Sequence, residues 1–291
     1  MRIGVVGAGT MGSGIAQVAA FHGHQVYLCD MERSSLERAV RNIEKSLGRI
    51  VRKMDAPDQD GLSGRTLKLI ETGTEREVLA ESDFVIEAVF EDFTIKQEVF
   101  RQLDRICREG VVLASNTSSI SITRLAACTG RPEAVVGMHF MNPVPVMRLV
   151  EIIRGLESSD STLQKTRDLT LNLDKVPVEV KDFPGFVANR VLLPMLNEAM
   201  FVVMEGIAEV EAVDQVMKLG MNHPLGPLQL ADLIGLDVCL DILNVLFEGY
   251  RDSKYRPCPL LQQMVDAGRL GRKSGRGFYE YSDRKDGVNK G

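Results

Sequence analysis

Cysteines spaced for disulfide frameworks or zinc sites are lacking in this sequence. The 291-residue chain has five cysteines, an odd number, and no two of them stand in CxxC spacing. We therefore expect no disulfide framework and no bound metal. Such cysteine usage is typical of a reducing compartment, so we expect the protein in the cytoplasm.

An excess of positive charge is also lacking. Lys and Arg number 35 against 40 Asp and Glu, which leaves a net charge of −5. General nucleic-acid binders are normally basic, so we expect no nucleic-acid partner. Hydrophobic residues make up 44% of the chain and charged residues 26%, which is typical of a folded globular protein rather than a disordered one.

Long apolar runs are scarce, and the one long stretch without charge does not have the character of a membrane span. Residues 3–29 contain no Asp, Glu, Lys or Arg, but they contain six glycines and the polar segment 22–25. A strand, a tight turn, a helix, a second turn and a second strand account for this stretch better than a bilayer crossing does. We therefore expect no membrane association.

What the sequence does contain is an alternation of short apolar runs with longer helical patterns. The apolar runs predict strands at residues 2–6, 25–30, 83–89, 111–115, 134–138 and 149–153. Such alternation predicts an α/β fold, in which a doubly wound, mostly parallel sheet is covered by helices on both faces.

The pattern changes near residues 182–185. Beyond them strand signals nearly vanish, and helices are predicted at residues 186–205, 209–219, 228–247 and 260–267. The chain also exceeds the average domain length of about 150 residues. Two domains are therefore predicted, an α/β domain over residues 1–184 with a helical excursion at about 34–75, and an all-α domain over 185–291.

A glycine-rich motif follows the first predicted strand and opens the next helix. It consists of Gly7, Ala8, Gly9, Thr10, Met11 and Gly12. The first glycine permits a tight turn, the second lets the backbone approach a pyrophosphate, and the third allows the helix to pack closely on the strand. Asp30, which ends the next strand, can accept hydrogen bonds from ribose hydroxyls. The motif therefore predicts a Rossmann-type dinucleotide site in the first domain.

The identity of the dinucleotide is predicted from Asp30. Its charge repels a 2′-phosphate and so favours NAD, while Arg33 nearby keeps NADP as a less favoured alternative. A flavin uses the same motif and is a further alternative. A glycine turn without a ligand would account for the glycines, but not for the strand, helix and acid that accompany them.

His139 is the histidine whose position predicts catalysis. It follows the strand predicted at 134–138, and open α/β sheets bind ligands at the carboxyl ends of their strands. Glu151 stands in the next apolar run, where a buried carboxylate needs a partner. A satisfied core histidine would account for His139 alone. The partner acid and the polar residues 115–119 at another strand end favour a pair in which Glu151 orients the imidazole.

Five segments of the sequence resemble the L-3-hydroxyacyl-CoA dehydrogenase family. They are residues 87–92 with Lys96, and residues 116–119, 139–147, 184–190 and 271–279. With the glycine motif, these segments extend over nearly the whole chain. The resemblance implies interconversion of (S)-3-hydroxyacyl-CoA and 3-ketoacyl-CoA with NAD(H), and it is strongest to the bacterial branch that acts on 3-hydroxybutyryl-CoA.

The resemblance also implies roles for individual residues. His139 is implied as the general base, oriented by Glu151, while Ser118 and Asn189 hold the substrate oxygens. The cofactor site is expected to include Glu91, Lys96, Asn116, Ser118, Asn142 and Lys273. The family usually dimerises through its C-terminal domain, so we expect residues 185–291 to form a substrate and dimerisation domain and the protein to be a homodimer.

One face of the helix predicted from residue 34 is basic. The face, here called the basic stripe, consists of Arg38, Arg41, Lys45, Arg49 and Arg52. Residues 34–53 carry six positive and two negative charges, a local charge of +4. A solvated helix face would account for the stripe, but attraction of CoA phosphates would also account for it. The resemblance implies CoA contacts at Ser46, Lys53 and Ser118.

Two other functions fit the same fold. One is a dehydrogenase of a free hydroxy or sugar acid, as in crystallin-like relatives, and the other is a catalytically silent NAD-binding module. The set of Ser118, His139, Glu151 and Asn189 argues against a silent protein. The basic stripe and Lys53 favour a CoA ester over a free acid.

Overall fold

The structure is a computed structural model that describes residues 1–53 and 59–281. The chain divides into two compact units, Met1–Phe183 and Pro184–Gly291. The functions expected of these two units, cofactor binding in the first and substrate binding with dimerisation in the second, stay predictions.

The first unit contains one eight-stranded sheet with the strand order β3-β2-β1-β4-β5-β6-β7-β8. Strands β1 to β6 are parallel to one another, β7 is antiparallel to β6, and β8 is parallel to β7. The strands are β1 Arg2–Val6, β2 Gln25–Cys29, β3 Ile70–Gly73, β4 Phe84–Glu87, β5 Val112–Ser115, β6 Val135–Phe140, β7 Leu149–Arg154 and β8 Val176–Lys181. The predicted fold class, a mostly parallel doubly wound sheet, is confirmed.

In the residues that the structure describes, six α-helices connect these strands. They are α1 Thr10–Phe21, α2 Arg33–Lys53, α3 Gln59–Lys68, α4 Phe93–Ile106, α5 Ile122–Ala126 and α6 Asp160–Asn172. Helices α1, α2 and α6 contribute buried apolar residues to a core cluster that they share with the strands. In α2 the buried apolar residues recur every three or four positions, at Leu36, Ala39, Ile43, Leu47 and Val51. This spacing aligns them on one face of the helix and leaves the basic stripe on the exposed surface.

The predicted helical excursion at residues 34–75 is wrong at its C-terminal end. Residues 70–73 form β3, which pairs in parallel with β2 at the edge of the sheet. Strand β8, at the opposite edge, was not predicted either. Its residues are mostly exposed and include Pro177, which an edge strand tolerates. Edge strands lack the continuous apolar run that marks a buried strand, and so give a weak sequence signal.

The second unit is helical in the part of the chain that the structure describes, as predicted. Its helices are α7 Ala188–Met204, α8 Val210–Gln215, α9 Pro227–Ile234, α10 Leu236–Tyr250 and α11 Pro259–Asp266. Their apolar residues form a separate core that includes Leu196, Met200 and Leu243. The single helix predicted at residues 228–247 is broken at Gly235, because that glycine has a φ of 109° and ends α9 before α10 begins.

None of the described helices combines the length and the apolar character that a bilayer crossing requires.

Candidate active site

The glycine-rich turn between β1 and α1 is shaped by close backbone contacts. Gly7 has a φ of 104°, and a Cβ atom there would lie 2.5 Å from the carbonyl oxygen of Ala88. A Cβ on Gly12 would lie 1.8 Å from the carbonyl oxygen of Gly7. Gly9 faces open space instead, with nothing within 4 Å of a Cβ. The turn therefore needs Gly7 and Gly12 for its own packing and presents Gly9 to a ligand.

Asp30 follows β2 and holds this turn from the side. Its Oδ2 accepts a hydrogen bond of 2.7 Å from the backbone N–H of Ala8, and its Oδ1 accepts one of 3.0 Å from that of Glu32. A carboxylate oxygen can accept a second hydrogen bond, so both oxygens can still bind a ribose hydroxyl. The carboxylate is thus fixed beside the turn with its charge in place.

A cavity of about 440 Å³ opens at the carboxyl ends of β1, β2 and β4. Strand order reverses beside β1, which is where doubly wound sheets bind dinucleotides. The N-cap of α1 is Gly9, whose lack of a side chain leaves the first N–H groups of the helix to face a phosphate. Residues lining the cavity include Gly7, Gly9, Thr10, Met11, Asp30, Met31, Phe90 and Ile95. The glycine-rich turn, the carboxylate of Asp30 and the apolar wall of the cavity together fit NAD.

His139 and Glu151 form a buried pair at the carboxyl end of β6. The antiparallel register of β6 and β7 places these two residues directly opposite each other. His139 Nδ1 lies 2.9 Å from Glu151 Oε2, and the residues are only 6% and 2% exposed. Because a carboxylate only accepts hydrogen bonds, the proton of a neutral imidazole lies on Nδ1, and Nε2 carries the lone pair.

Ser118 completes the arrangement on the other side of the ring. Its Oγ lies 3.1 Å from His139 Nε2, so the hydroxyl can donate to the lone pair. Ser118 stands in the loop after β5, and β5 is the parallel neighbour of β6. The sheet therefore brings together three predicted residues, Ser118, His139 and Glu151, from three adjacent strand ends.

Glu91 holds the loop that carries Ser118. Its Oε1 accepts hydrogen bonds from Ser118 N at 2.9 Å, Ser119 N at 3.1 Å and Thr117 Oγ1 at 2.5 Å. Its Oε2 lies 3.3 Å from Lys96 Nζ. Burial disfavours the charged carboxylate, but the Lys96 charge and these hydrogen bonds outweigh it and hold the pKa of Glu91 below its ordinary value.

Glu87, at the end of β4, is a site residue to which the sequence assigned no role. It is fully buried, as is Lys96, whose Nζ donates to Glu87 Oε1 over 2.7 Å. Ser115 Oγ donates to Glu87 Oε2 over 2.6 Å, and the N–H of Val89 donates to Oε1 over 2.7 Å. A carboxylate ending the apolar run of β4 is the same kind of signal that identified Glu151, because a buried charge needs partners.

Asn116 follows β5 and Asn142 follows β6, but the two residues have different surroundings. Asn116 is buried, and its Oδ1 accepts a hydrogen bond of 2.9 Å from the N–H of Phe140, which ties the end of β5 to β6. Asn142 is exposed in the loop between β6 and β7. The amide of Asn116 therefore supports the site, and that of Asn142 faces solvent.

Two of the predicted residues belong to the second unit. Asn189 is half-buried in the first turn of α7. Lys273 lies in a short 3₁₀ turn, Arg272–Ser274, and its Nζ donates to Asp237 Oδ2 over 2.6 Å.

Two of the three predicted CoA residues, Ser46 and Lys53, lie on α2, whereas Ser118 lies in the loop after β5. Ser46 is half-buried, and all five residues of the basic stripe are exposed. Lys53 is the last residue of α2, but its side chain lies outside the described part of the structure.

A doubly wound sheet with this glycine turn, acid and cavity defines an NAD-binding oxidoreductase. The chain belongs to the 3-hydroxyacyl-CoA dehydrogenase family, whose NAD binding domain matches residues 2–183 and whose C-terminal domain matches residues 185–281. The resemblance found in the sequence motifs is thereby confirmed, together with the enzyme class and the use of NAD.

Several relatives match over almost the full length of the chain. A probable 3-hydroxybutyryl-CoA dehydrogenase of Bacillus subtilis is 53% identical over 283 residues, which cover 97% of this chain and 98% of the relative. One of the same name from Deinococcus radiodurans is 54% identical, covering 97% of this chain and all of the relative. The crystal structure of (S)-3-hydroxybutyryl-CoA dehydrogenase from Ralstonia eutropha is 48% identical with a TM-score of 0.94, covering 97% of this chain and 99% of that one.

Proposed function

We propose that this protein interconverts (S)-3-hydroxybutyryl-CoA and acetoacetyl-CoA with NAD(H), with His139 as the general base. The observation that carries the proposal is the buried pair of His139 and Glu151. The ring nitrogen Nε2 of His139 lies beside the hydroxyl of Ser118. Near-complete coverage by relatives named 3-hydroxybutyryl-CoA dehydrogenase supports the short acyl chain.

In the oxidation, the O–H bond of the 3-hydroxyl breaks and its proton moves to Nε2 of His139. Bound NAD⁺ supplies the acceptor for the hydride that leaves C3 as the ketone forms. The resulting imidazolium is stabilised by the carboxylate of Glu151, which lies 2.9 Å from Nδ1 and holds the ring in place. A positioned base of this kind typically contributes about 10²–10⁴-fold to the rate.

Ser118 positions the substrate hydroxyl. Its Oγ is 3.1 Å from Nε2, so a hydroxyl bound beside it lies within reach of the same nitrogen. Asn189 is the second residue that holds the substrate oxygens. Glu91 and Lys96 support this arrangement, because the Glu91 carboxylate binds the N–H groups of Ser118 and Ser119.

NAD is held by the glycine turn and Asp30, with Asn142 and Lys273 as further contacts. The fixed position of the Asp30 carboxylate supports NAD over NADP, because a 2′-phosphate at the ribose would meet its charge. The glycine turn and the first N–H groups of α1 bind the pyrophosphate.

The CoA moiety is bound along α2. The basic stripe is exposed. Arg41 lies 3.8 Å from Glu37, but this ion pair is exposed to solvent and does not strongly neutralise the charge of Arg41. A local charge of +4 on a chain of net −5 attracts the phosphates of CoA. Ser46 and Lys53 contribute contacts on the same helix.

The active form is a homodimer that associates through the second unit and works in the cytoplasm. Large apolar side chains are exposed on that unit, among them Ile207, Val216, Leu219 and Met221 at 61–85%. Association removes such surface from water. Light scattering at micromolar concentration tests the dimer, and a monomeric mass with full activity would refute it.

The proposed cytoplasmic location rests on the cysteines. The five free cysteines fit a reducing compartment.

The decisive experiment is an assay of the purified protein with acetoacetyl-CoA, longer 3-ketoacyl-CoAs and free acetoacetate, each with NADH and with NADPH. We expect turnover of acetoacetyl-CoA with NADH at the highest kcat/KM. Absence of turnover with every CoA ester would overturn the proposal, and reduction of free acetoacetate alone would favour the dehydrogenase of a free acid.

A further inference from the structure

Lys175, between α6 and β8, is a buried lysine that the proposed reaction does not use. It is only 7% exposed, whereas lysines almost always lie at the surface. Its Nζ donates to the carbonyl oxygen of Val144 over 2.7 Å and to that of Met147 over 2.8 Å. The ammonium is thus held by two neutral backbone acceptors of one loop.

That loop, residues 141–148, connects the strand of His139 to the strand of Glu151. It also carries Asn142, an expected contact of the cofactor. The loop has its own turn, in which the N–H groups of Val146 and Met147 both donate to the carbonyl oxygen of Pro143 over 3.0 Å. Its conformation therefore affects how the ends of β6 and β7 are presented.

The same loop also packs on the helix of the glycine-rich turn. Val144 is only 2% exposed and belongs to the main core cluster. A Cβ atom on Gly14 of α1 would lie 2.9 Å from Val144 Cβ, so the loop touches α1 at a position that only glycine allows without a shift. The loop therefore contacts both α1 and Lys175.

Filling this position with an ammonium that forms two hydrogen bonds to carbonyl groups has an unfavourable desolvation free energy. Burial disfavours the charged form and lowers the pKa of Lys175, although the nearby charge of Asp174 acts in the opposite direction. An apolar side chain would fill the same space without desolvating an ammonium. What only a donor can provide is the fixed direction of two carbonyl groups, because charge-assisted hydrogen bonds are short and directional.

We propose that Lys175 is a positioning residue for the cofactor site: its ammonium fixes loop 141–148 so that Asn142 meets the bound NAD. The inference rests on the proposed function, since it takes Asn142 as a cofactor contact. Lys175 acts through the loop and does not itself touch the cofactor.

The test is Lys175→Met, with Lys165→Met as the matched control. Lys165 lies on the exposed surface of the neighbouring helix α6 and donates to one carbonyl oxygen, that of Gly110, over 3.0 Å. We expect the Kd for NADH, measured by fluorescence titration, to rise about tenfold in Lys175→Met and less than about twofold in the control. The KM for acetoacetyl-CoA is expected to change less than the Kd for NADH.

A purely structural lysine would lower the melting temperature and leave the NADH affinity of the folded protein unchanged, and that result would overturn the proposal. Failure of the wild-type protein to bind NADH at all would instead contradict the proposed function, so the two can be distinguished.

Two further variants keep the test decisive even if Lys175→Met does not fold. Lys175→Arg retains the donors and should bind NADH more tightly than the methionine variant does. If the methionine variant does not fold, the Kd of Lys175→Arg for NADH should lie within about fivefold of the wild-type Kd. Gly14→Ala leaves Lys175 intact but pushes on Val144, and it should also weaken NADH binding. Wild-type affinity in Gly14→Ala, or an Arg variant no better than Met, would refute the role of the loop.

Discussion

His139 Nδ1 lies 2.9 Å from Glu151 Oε2 because the two residues face each other across the antiparallel strands β6 and β7. A change of one residue in this register would turn one of the two side chains to the other face of the sheet. The register of the antiparallel strands β6 and β7 thus creates the pair.

The first prediction concerns this pair. Glu151→Gln keeps the size of the side chain but removes the charge that stabilises the imidazolium, so kcat should fall at least about 100-fold. His139→Gln should have an effect of the same order. NADH binding, measured by fluorescence, should stay near normal in both variants.

The control for this prediction is Glu179→Gln on the edge strand β8. Glu179 pairs with Arg154 at 2.8 Å on the exposed edge of the sheet. It should leave kcat within about twofold of wild type. Near-normal turnover in both active-site variants would contradict the assigned roles.

The second prediction concerns the buried ion pair of Glu87 and Lys96. Glu87→Gln leaves the fully buried ammonium of Lys96 with less compensation, and breaking one side of such a pair typically costs about 3–5 kcal/mol. The double variant with Lys96→Met should be less destabilised than the sum of the two single changes, because neither charge is then left alone. Urea denaturation measures the free energy of unfolding of each variant.

An exposed pair provides the comparison for the buried one. Glu81 lies 3.5 Å from Arg2 with most of both side chains in solvent. Glu81→Gln should change the free energy of unfolding by less than about 1 kcal/mol. A Glu87→Gln variant as stable as this one would show that Lys96 does not depend on Glu87.

The third prediction concerns pH. The pKa of Glu91 is lower in the folded protein than its ordinary value of about 4.3, so the folded state binds the proton less tightly than the unfolded state does. The stability that this carboxylate contributes is therefore complete above the unfolded pKa and is lost as pH falls through the folded pKa.

The measurement is the melting temperature of wild type and Glu91→Gln between pH 8 and pH 3, a range of about five units chosen to cross the carboxyl titration. The wild-type protein should be the more stable one at neutral pH, and the difference should shrink on acidification below about pH 4.3. A difference that stays constant over the whole range would show that the Glu91 charge does not stabilise the folded protein.

The fourth prediction concerns the basic stripe. Arg49→Glu with Arg52→Glu reverses two charges on the exposed face of α2, and the KM for acetoacetyl-CoA should rise by at least about fivefold. The KM for NADH should rise less. The effect should weaken as ionic strength increases, because salt screens exposed charges.

Arg101→Glu with Arg105→Glu is the matched control, since both arginines lie on the exposed face of α4 and the net charge changes by the same amount. If both double variants raise the KM for CoA esters equally, total charge rather than the stripe is responsible. An unchanged KM in the α2 variant would leave the stripe as a solvated helix face.

The success of the sequence-based fold prediction depended on burial. Strands β1, β4 and β5 lie inside the sheet and consist of buried apolar runs, which is the pattern that predicts a strand covered on both faces. The edge strands β3 and β8 are largely exposed and could not be recognised in this way. The break at Gly235 was missed because its positive φ comes from the path of the chain, and not from the apolar pattern around it.

The prediction of the site was similarly uneven. Glu151 could be predicted because it is a lone carboxylate in an apolar run, and Ser118 because it lies among polar residues at a strand end. Glu91 stays a predicted cofactor residue, and in the structure its carboxylate also binds the loop of Ser118 and the ammonium of Lys96. Glu87 stood within a recognised motif without an assigned role, because its partners Ser115 and Lys96 come from other elements.

Periodicity and local motifs depend on near neighbours in the chain, so the class of fold, the dinucleotide motif and the pairing of His139 with Glu151 could be predicted from the sequence, and the register of β6 and β7 agrees with that pairing. The contacts of Glu87 with Ser115 and of Lys175 with loop 141–148 could not be predicted in this way. Such contacts link residues far apart in the chain, and their distances follow from packing, which no local pattern specifies.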